Sequence, residues 1–347
     1  MATTFISSNS ISTTLRSSAM RSQVALSQAT KEATTERHAD VGLTLGALAG
    51  RDVVLRAELV DLDKLVDTNA LVSGHLEVEQ QRVSMLIDTA EAFQKDLLAA
   101  RNSANGGNVL MTPASANLHS LIGALNVTMD GQYLFAGTNT AVAPMQDYAP
   151  GSSSKNAVDA AFLATFGFAQ NSPLASSITA ANMQTFLDTT FKAQFDDPAW
   201  GTNWSTASDQ VMRSRISTTQ TIDTSVSANE PAFRKLAMAY TMLSDLGTQN
   251  LNQVAFQTVV DKATLVIGDA INDLAGLGAR MGTAQELTTN ATSRLKVQAD
   301  LITQQVTAME KVDQTEASVR VTSLQNQLDM SLALTTRIQK LSILNYL

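Results

Sequence analysis

DGQYLFAGTNT, residues Asp130–Thr140, sets a short aromatic–aliphatic run between two glycines, Gly131 and Gly137. Glycines beside an apolar run serve either a phosphate-binding loop or a change of chain direction. A phosphate loop opens a helix, because the helix N-terminus supplies free N–H groups and the positive end of the dipole. Here the order is reversed. Leu118, Leu121, Ile122 and Leu125 form one helical face ahead of the glycines, so a helix C-terminus meets the loop and repels phosphate. The stretch carries no Lys or Arg. Gly131 is expected in the left-handed conformation that ends a helix, which glycine adopts without steric cost. Tyr133, Leu134 and Phe135 then read as a short extended segment, and Gly137 as a second turn. Gly131, Tyr133, Phe135 and Gly137 are thus expected to form a hinge into an inserted segment.

Upstream, Thr112 is the expected cap of the helix that leads to this hinge, with Pro113 at its first position. Before it, Leu55, Leu59, Leu62 and Val66, then Leu76, Val83, Ile87 and Ala90, keep a four–three spacing around Asn69, Ser73 and Gln80. That 3.5-residue period predicts a coiled-coil-like helix ending near Asn105-Gly106-Gly107. Gly42, Gly46 and Gly50 mark a break over 36–51. Residues 1–35 are rich in Ser and Thr, with thin apolar spacing at Ile11, Leu15, Met20, Val24 and Leu26. Such a helix has too little apolar face to stand alone in water.

Downstream, residues 141–232 hold five of the six prolines and both tryptophans, so the chain changes character there. Val211–Val226 reads as a β-hairpin, and Trp200 and Trp204 as core of this segment. Helical periodicity resumes at Phe233 with Leu236, Tyr240 and Leu243, breaks at Gly247, and continues to the C-terminus. Leu295, Ile302, Val306 and Met309 lead into Ala317, Val321, Leu324, Leu328, Ser331, Thr335 and Ile338 at four–three spacing. From Glu286 to Leu344 an unbroken helix would span roughly 85 Å. A bundle or a polymer needs such a helix; one globular core does not.

The fold expected is mainly α: an elongated bundle of long coiled-coil-type N- and C-terminal helices with a smaller α/β or β-containing variable domain inserted. The domains expected are 1–40 with 305–347 (a terminal coiled coil, disordered in the monomer), 41–140 with 233–304 (helical core), and 141–232 (variable).

Composition narrows function by exclusion. Aromatics make up only 5% of the 347 residues, which suits aliphatic helix seams better than an enzyme core. The net charge of −8 is spread without a basic stripe, so nucleic-acid binding is not expected. With no cysteine, thiolate catalysis, disulfides and Cys-ligated metal are excluded. His38, His75 and His119 stand apart from one another and from carboxylate clusters, so no metal or catalytic site is expected. Gly276, Gly278 and Gly282 lack the spacing and preceding strand of a dinucleotide loop, and read as a tight helix-packing site. No G-x-S-x-G elbow occurs. No catalytic residue, cofactor or membrane-spanning segment is expected, and the N-terminus lacks the basic and apolar regions of a secretory signal.

The layout, with G-x-Y-L-F-A-G-T at Gly131–Thr138, resembles the bacterial flagellin superfamily, and within it the FlgL-type branch of hook-associated, hook–filament junction proteins. LGARMG (Leu277–Gly282) is similar to the family's L-G-A segment, and Val312–Ala317 to its D-x-x-x-E-A pattern. LSILNYL at the C-terminus resembles that branch, and Met212–Leu236 matches loosely. TTERHADVGLTLG stands where the family usually has S-G-x-R followed by P-S-D-D-P. The resemblance implies a non-catalytic structural subunit of the bacterial flagellum, exported unfolded by the flagellar type III system without a cleaved signal. It implies an extracellular, flagellar location and a role as adapter between hook and filament. The implied partners are other copies in a ring, the adjacent hook-associated protein, flagellin, an export chaperone and the export gate. The implied assembly surface is Ile11, Leu15, Val24 and Leu26 with Ala317, Val321, Leu324, Leu328, Ile338, Leu341 and Leu344. The alternatives are a filament-forming flagellin and a cytoplasmic helical signalling or scaffold protein; for the seam residues, an ordinary intramolecular core.

Overall fold

The computed structural model describes residues 8–344, with side-chain surroundings for residues 10, 11 and 13–337. Among these, ten helices and four short strands follow in order: α1 (Ser8–Thr35), α2 (Val41–Leu45), α3 (Ala49–Ala100), α4 (Gly106–Leu125), β1 (Thr128–Met129), β2 (Gln132–Tyr133), α5 (Ser153–Phe166), α6 (Ala180–Phe186), α7 (Ala199–Asn203), β3 (Arg213–Arg215), β4 (Thr221–Asp223), α8 (Pro231–Asp245), α9 (Gln253–Glu310) and α10 (Gln314–Leu344). The expected mainly α architecture with long helices is what the chain adopts. The chain divides into two compact units: residues 1–64 with 296–347 (terminal unit), and residues 65–295 (central unit).

In the central unit the heptad seam of α3 is buried at Val72, Leu76, Val83, Leu86, Ala90, Phe93 and Leu97. Polar cross-links set its register against α9. Asn69 Nδ2 donates to Thr292 Oγ1 (3.0 Å), Gln94 Nε2 to the Thr264 carbonyl (3.3 Å), and Arg101 grips Asp261 through two bonds of 2.5 and 2.7 Å. Partners on α9 fall in number as those on α3 rise, so the two helices are antiparallel. Helices α4 and α8 complete the core, with Leu118, Leu121, Phe233, Leu236 and Tyr240 buried. Residues 141–232 join the same hydrophobic cluster through an aromatic ladder. Phe191, Phe195, Trp204 and Trp200 stack in succession at 5.0–5.7 Å, Tyr148 stacks on Trp204 at 5.1 Å, and the Arg234 guanidinium caps Trp200 at 5.5 Å. Beside it, Asp245 accepts from Tyr148 Oη (2.5 Å) and Lys155 Nζ (2.7 Å). Burial, the largest effect, raises the Asp245 carboxyl, while those two donors pull it back.

Four expectations need correction. Helix α4 begins at Gly106, seven residues before Pro113, which lies inside it. Glycine is required at that start: a Cβ on Gly106 would lie 2.4 Å from the Ala100 carbonyl oxygen, and one on Gly107 2.6 Å from Thr248 backbone. Gly131 does not end a helix. α4 stops at Leu125, capped by Asn126, and Gly131 instead turns a hairpin. The long C-terminal helix is not continuous, because Lys311–Asp313 separate α9 from α10. Finally, Gly276 and Gly278 are not packing sites, since a Cβ on either meets nothing within 4 Å; only Gly282 has a neighbour, Gln80 Nε2 at 3.4 Å. The expected hairpin within 211–226 is present as β3–β4, and Trp200 and Trp204 are fully buried.

Candidate assembly surface

Two regions stand out: the hinge stretch, and the pair formed by α1 and α10. In the first, β1 and β2 pair antiparallel, Thr128 opposite Tyr133 and Met129 opposite Gln132. The two residues between them, Asp130 (φ +52) and Gly131 (φ +78), are both left-handed. That is the two-residue primed turn whose twist matches paired strands, and Asp-Gly is among its preferred sequences. Gly137 (φ +62) is held for a different reason: a Cβ there would lie 2.5 Å from the carbonyl oxygens of both Ser208 and Gln210. Around it the backbone is stitched three times, Thr138 N–H to the Gln210 carbonyl (2.9 Å), Ser208 N–H to the Ala136 carbonyl (3.0 Å) and Ala228 N–H to the Phe135 carbonyl (2.7 Å). Phe135 is fully buried, edge-on to Phe233 at 5.7 Å, while Tyr133 is half-buried.

In the second region, α1 and α10 run against each other. Ser22 and Ala29 of α1 and Ala317 of α10 are buried at their contact. Leu15 and Leu26 are half-buried, as are Val321, Leu324, Leu328, Ser331 and Thr335. Arg320 of α10 pairs across the seam with Glu32 of α1 at 3.3 Å. The structure therefore brings Leu15, Leu26, Ala317, Val321, Leu324 and Leu328 to a seam within one chain. Ile11 lies near its end and is 38% exposed, whereas Val24 is 60% exposed on the opposite face. Ile338, Leu341 and Leu344 belong to α10, but their side chains lie outside the described residues. Met20, which the sequence places with the apolar positions of α1, is exposed, and sequence reasoning missed the exposed apolar side chains Val319, Met330, Leu332 and Leu334 of α10.

A third feature had no sequence signal. Where α1 and α9 end, the buried Glu310 carboxylate accepts from Arg37 Nη2 on one oxygen and Arg56 Nη2 on the other. Arg56 Nε also donates to Asp52 (3.1 Å). The backbone joins in: His38 N–H donates to the Glu310 carbonyl (3.0 Å) and Val312 N–H to the Glu36 carbonyl (2.9 Å). Glu36 itself is left-handed (φ +57). TTERHADVGLTLG thus builds its turn without the usual family motif: Arg37 anchors it, and the Asp40 carboxylate caps α2 through Leu43 N–H (2.9 Å). Across the break, Asp313 caps α10 by accepting from Thr315 N–H (2.8 Å) and Glu316 N–H (3.2 Å). These backbone bonds, Glu316's foremost, hold the Asp313 carboxyl below the usual range.

The bacterial flagellin N-terminal helical region matches residues 6–140, and the bacterial flagellin C-terminal helical region matches residues 264–347. The chain belongs to the flagellin superfamily. No curated protein matches it by sequence. Among solved structures, it is similar to a protein described as a putative flagellar hook-associated protein from Vibrio parahaemolyticus, with a TM-score of 0.52 at 11% identity over 75% of this chain and 96% of that one. At that identity the likeness is one of fold. As a flagellin-superfamily protein it is a structural, non-enzymatic subunit that self-assembles in the extracellular flagellum. Among the described residues no helix is long and apolar enough to cross a membrane, and no group of acidic or histidine side chains is placed to hold a metal. His75 sits 3.8 Å from Asp130, His38 3.9 Å from Glu32, and exposed His119 bonds the Ser115 carbonyl.

Proposed function

We propose that this flagellin-superfamily subunit is the adapter at the hook–filament junction, the third hook-associated protein of the flagellum. The observation that carries the reading is the segment Gly131–Thr138. Each of its distinctive residues has a separate structural duty, in a turn, a close approach or a buried ring. That degree of constraint supports reading the motif as a signature of its branch. The likeness in fold to a protein described as hook-associated points the same way. In this role the chain forms a ring with other copies, meets the adjacent hook-associated protein on one side and flagellin on the other, and reaches its place unfolded, through an export chaperone and the type III export gate. The seam of Leu15, Leu26, Ala317, Val321, Leu324 and Leu328, with Ile11, Val24, Ile338, Leu341 and Leu344, forms the assembly domain together with residues 1–40 and 305–347; it is weakly held in the monomer and firm in the ring. Gly131, Tyr133, Phe135 and Gly137 form the hinge of the variable segment 141–232.

Because both family regions matched are those of flagellin itself, a filament subunit is the second reading. Immunogold labelling of purified flagella separates the two. A single band where hook meets filament is the expected result; label along the whole filament would establish the second reading instead.

A further inference from the structure

Glu79 stands in the buried heptad seam of α3, between Leu76 and Val83, and is wholly inaccessible to solvent. Both of its carboxylate oxygens are buried without a hydrogen-bond partner. Asn69, also buried in that seam, bonds Thr292 and the Ile216 carbonyl through Nδ2 and leaves only its Oδ1 without a partner. For Glu79 the seam supplies none. Arg280 of α9 pairs with Glu230 and Asp223 of β4 with Arg213, while His75, one turn back along α3, lies 3.8 Å from Asp130 of the β1–β2 turn with its Nε2 buried and without a hydrogen-bond partner. The titratable group of α4, His119, is exposed and bonded to its own helix. Arg82, one turn along α3, has its Nε buried and equally without a partner, and does not reach the carboxyl.

We propose that Glu79 is a pH-sensitive weak point built into the central unit, so that the helical core is firmest in acid and loosens as pH rises. An isolated carboxylate in an apolar seam loses its hydration with nothing in exchange, so the folded chain keeps the group protonated. Burial pushes the Glu79 carboxyl well above the ordinary carboxylate range. The sign follows from linkage. Below the ordinary glutamate pKa both folded and unfolded chains hold the proton, and the group costs only its burial. Above it, the unfolded chain releases the proton freely while the folded chain does not, so stability falls with each pH step until the folded group ionises. Glu79 belongs to the core of the central unit, so its effect is the same whether the subunit sits at the junction or in the filament.

The test is thermal unfolding of the full chain and of Glu79→Gln at pH 5 and pH 8. The variant should gain on the natural protein as pH rises, with the difference in Tm at least about 4 °C larger at pH 8 than at pH 5. An equal difference at both values would overturn the proposal. Arg82→Gln serves as control: if Arg82 in fact neutralises Glu79, that variant would lose stability progressively with pH, again overturning it, and a flat difference supports it. Should Glu79→Gln fail to fold, carboxyl-carbon NMR of the natural chain decides the same question. One glutamate titrating well above the rest supports the proposal; all titrating in the ordinary range refutes it.

Discussion

The terminal pair and the central core are both built from long helices with a four–three apolar period, yet they bury very different things. The α3 seam ends in Phe93 and Leu97 and meets an aromatic ladder in which Phe191, Phe195, Trp200 and Trp204 are all buried. The described residues of the terminal unit contain no Phe, Trp or Tyr, and the α1–α10 seam is made of Ser22, Ala29, Ala317, Ser331, Thr335 and half-buried leucines. Since apolar burial contributes about 25 cal/mol per Å², the same period yields a self-sufficient core in one case and a marginal contact in the other. Periodicity sets where helices touch. Side-chain size sets whether the contact holds without a neighbour.

That contrast can be broken most severely at the seam. Leu324→Asp with Leu328→Asp should abolish incorporation into flagella while the protein still reaches the medium, because a charge buried in this seam without a partner costs several kcal/mol. Immunoblots of purified flagella and of supernatant measure both; normal incorporation would show that assembly uses another surface. In the isolated subunit, brief trypsin treatment should cut first at Arg16, Arg21, Arg320 and Arg337, and leave residues 65–295 whole, as mass spectrometry of the fragments would report. Early cleavage within the central unit would reverse the ranking of the two regions.

Single truncations sharpen the same point. Phe135→Ala should destabilise the central unit by about 3–5 kcal/mol in urea unfolding, the usual range for a fully buried ring. Leu15→Ala, half-exposed in the terminal pair, should cost less than about 1 kcal/mol in the same measurement. Similar costs would mean that the terminal seam is better packed than its composition implies. Glu310→Gln should lie between, at about 1–2 kcal/mol, since both arginines are half-exposed and solvent screens their pairs. Hydrogen exchange localised to residues 36–40 and 311–313 is its signature.

The smallest effect belongs to Asp313. Its carboxyl is held below the usual range in the folded chain, so its capping contribution is present above the ordinary aspartate pKa and is lost as pH falls through the folded value. Protection of the first amides of α10 should decline in that acidic window. In Asp313→Asn the decline should be absent; its persistence would assign it to another group.

Much of this was legible in the sequence. The heptad period of Leu55–Ala90, the thin apolar face of residues 8–35 and the hairpin within 211–226 all rest on local spacing, and local spacing was enough. The departures share a cause. Pro113 and Thr112 form a good helix start, but α4 starts at two glycines whose space is closed by the Ala100 carbonyl and by Phe256 and Thr248, the last two distant in sequence. Asp130-Gly131 closes a hairpin whose strands are two residues each, too short for any periodic signal. Across Lys311–Asp313 the apolar register slips by a single residue, eight positions from Met309 to Ala317 where seven is the rule, and the cap that Asp313 forms marks the break. Arg37 and Glu310 are 273 positions apart, and nothing in either neighbourhood announces the other.

That last contact has a mechanical reading. Both loops that interrupt the helices of the terminal unit meet at Glu310, and they are joined by two antiparallel backbone bonds and the Arg37–Glu310 ion pair, while Arg56 of α3 holds the other carboxylate oxygen. A pull along α1 or α10 loads these three links together instead of one after another. Links sharing a load in parallel yield at a higher force than the same links opened in sequence, so the place where the chain is most interrupted is also where it resists shear.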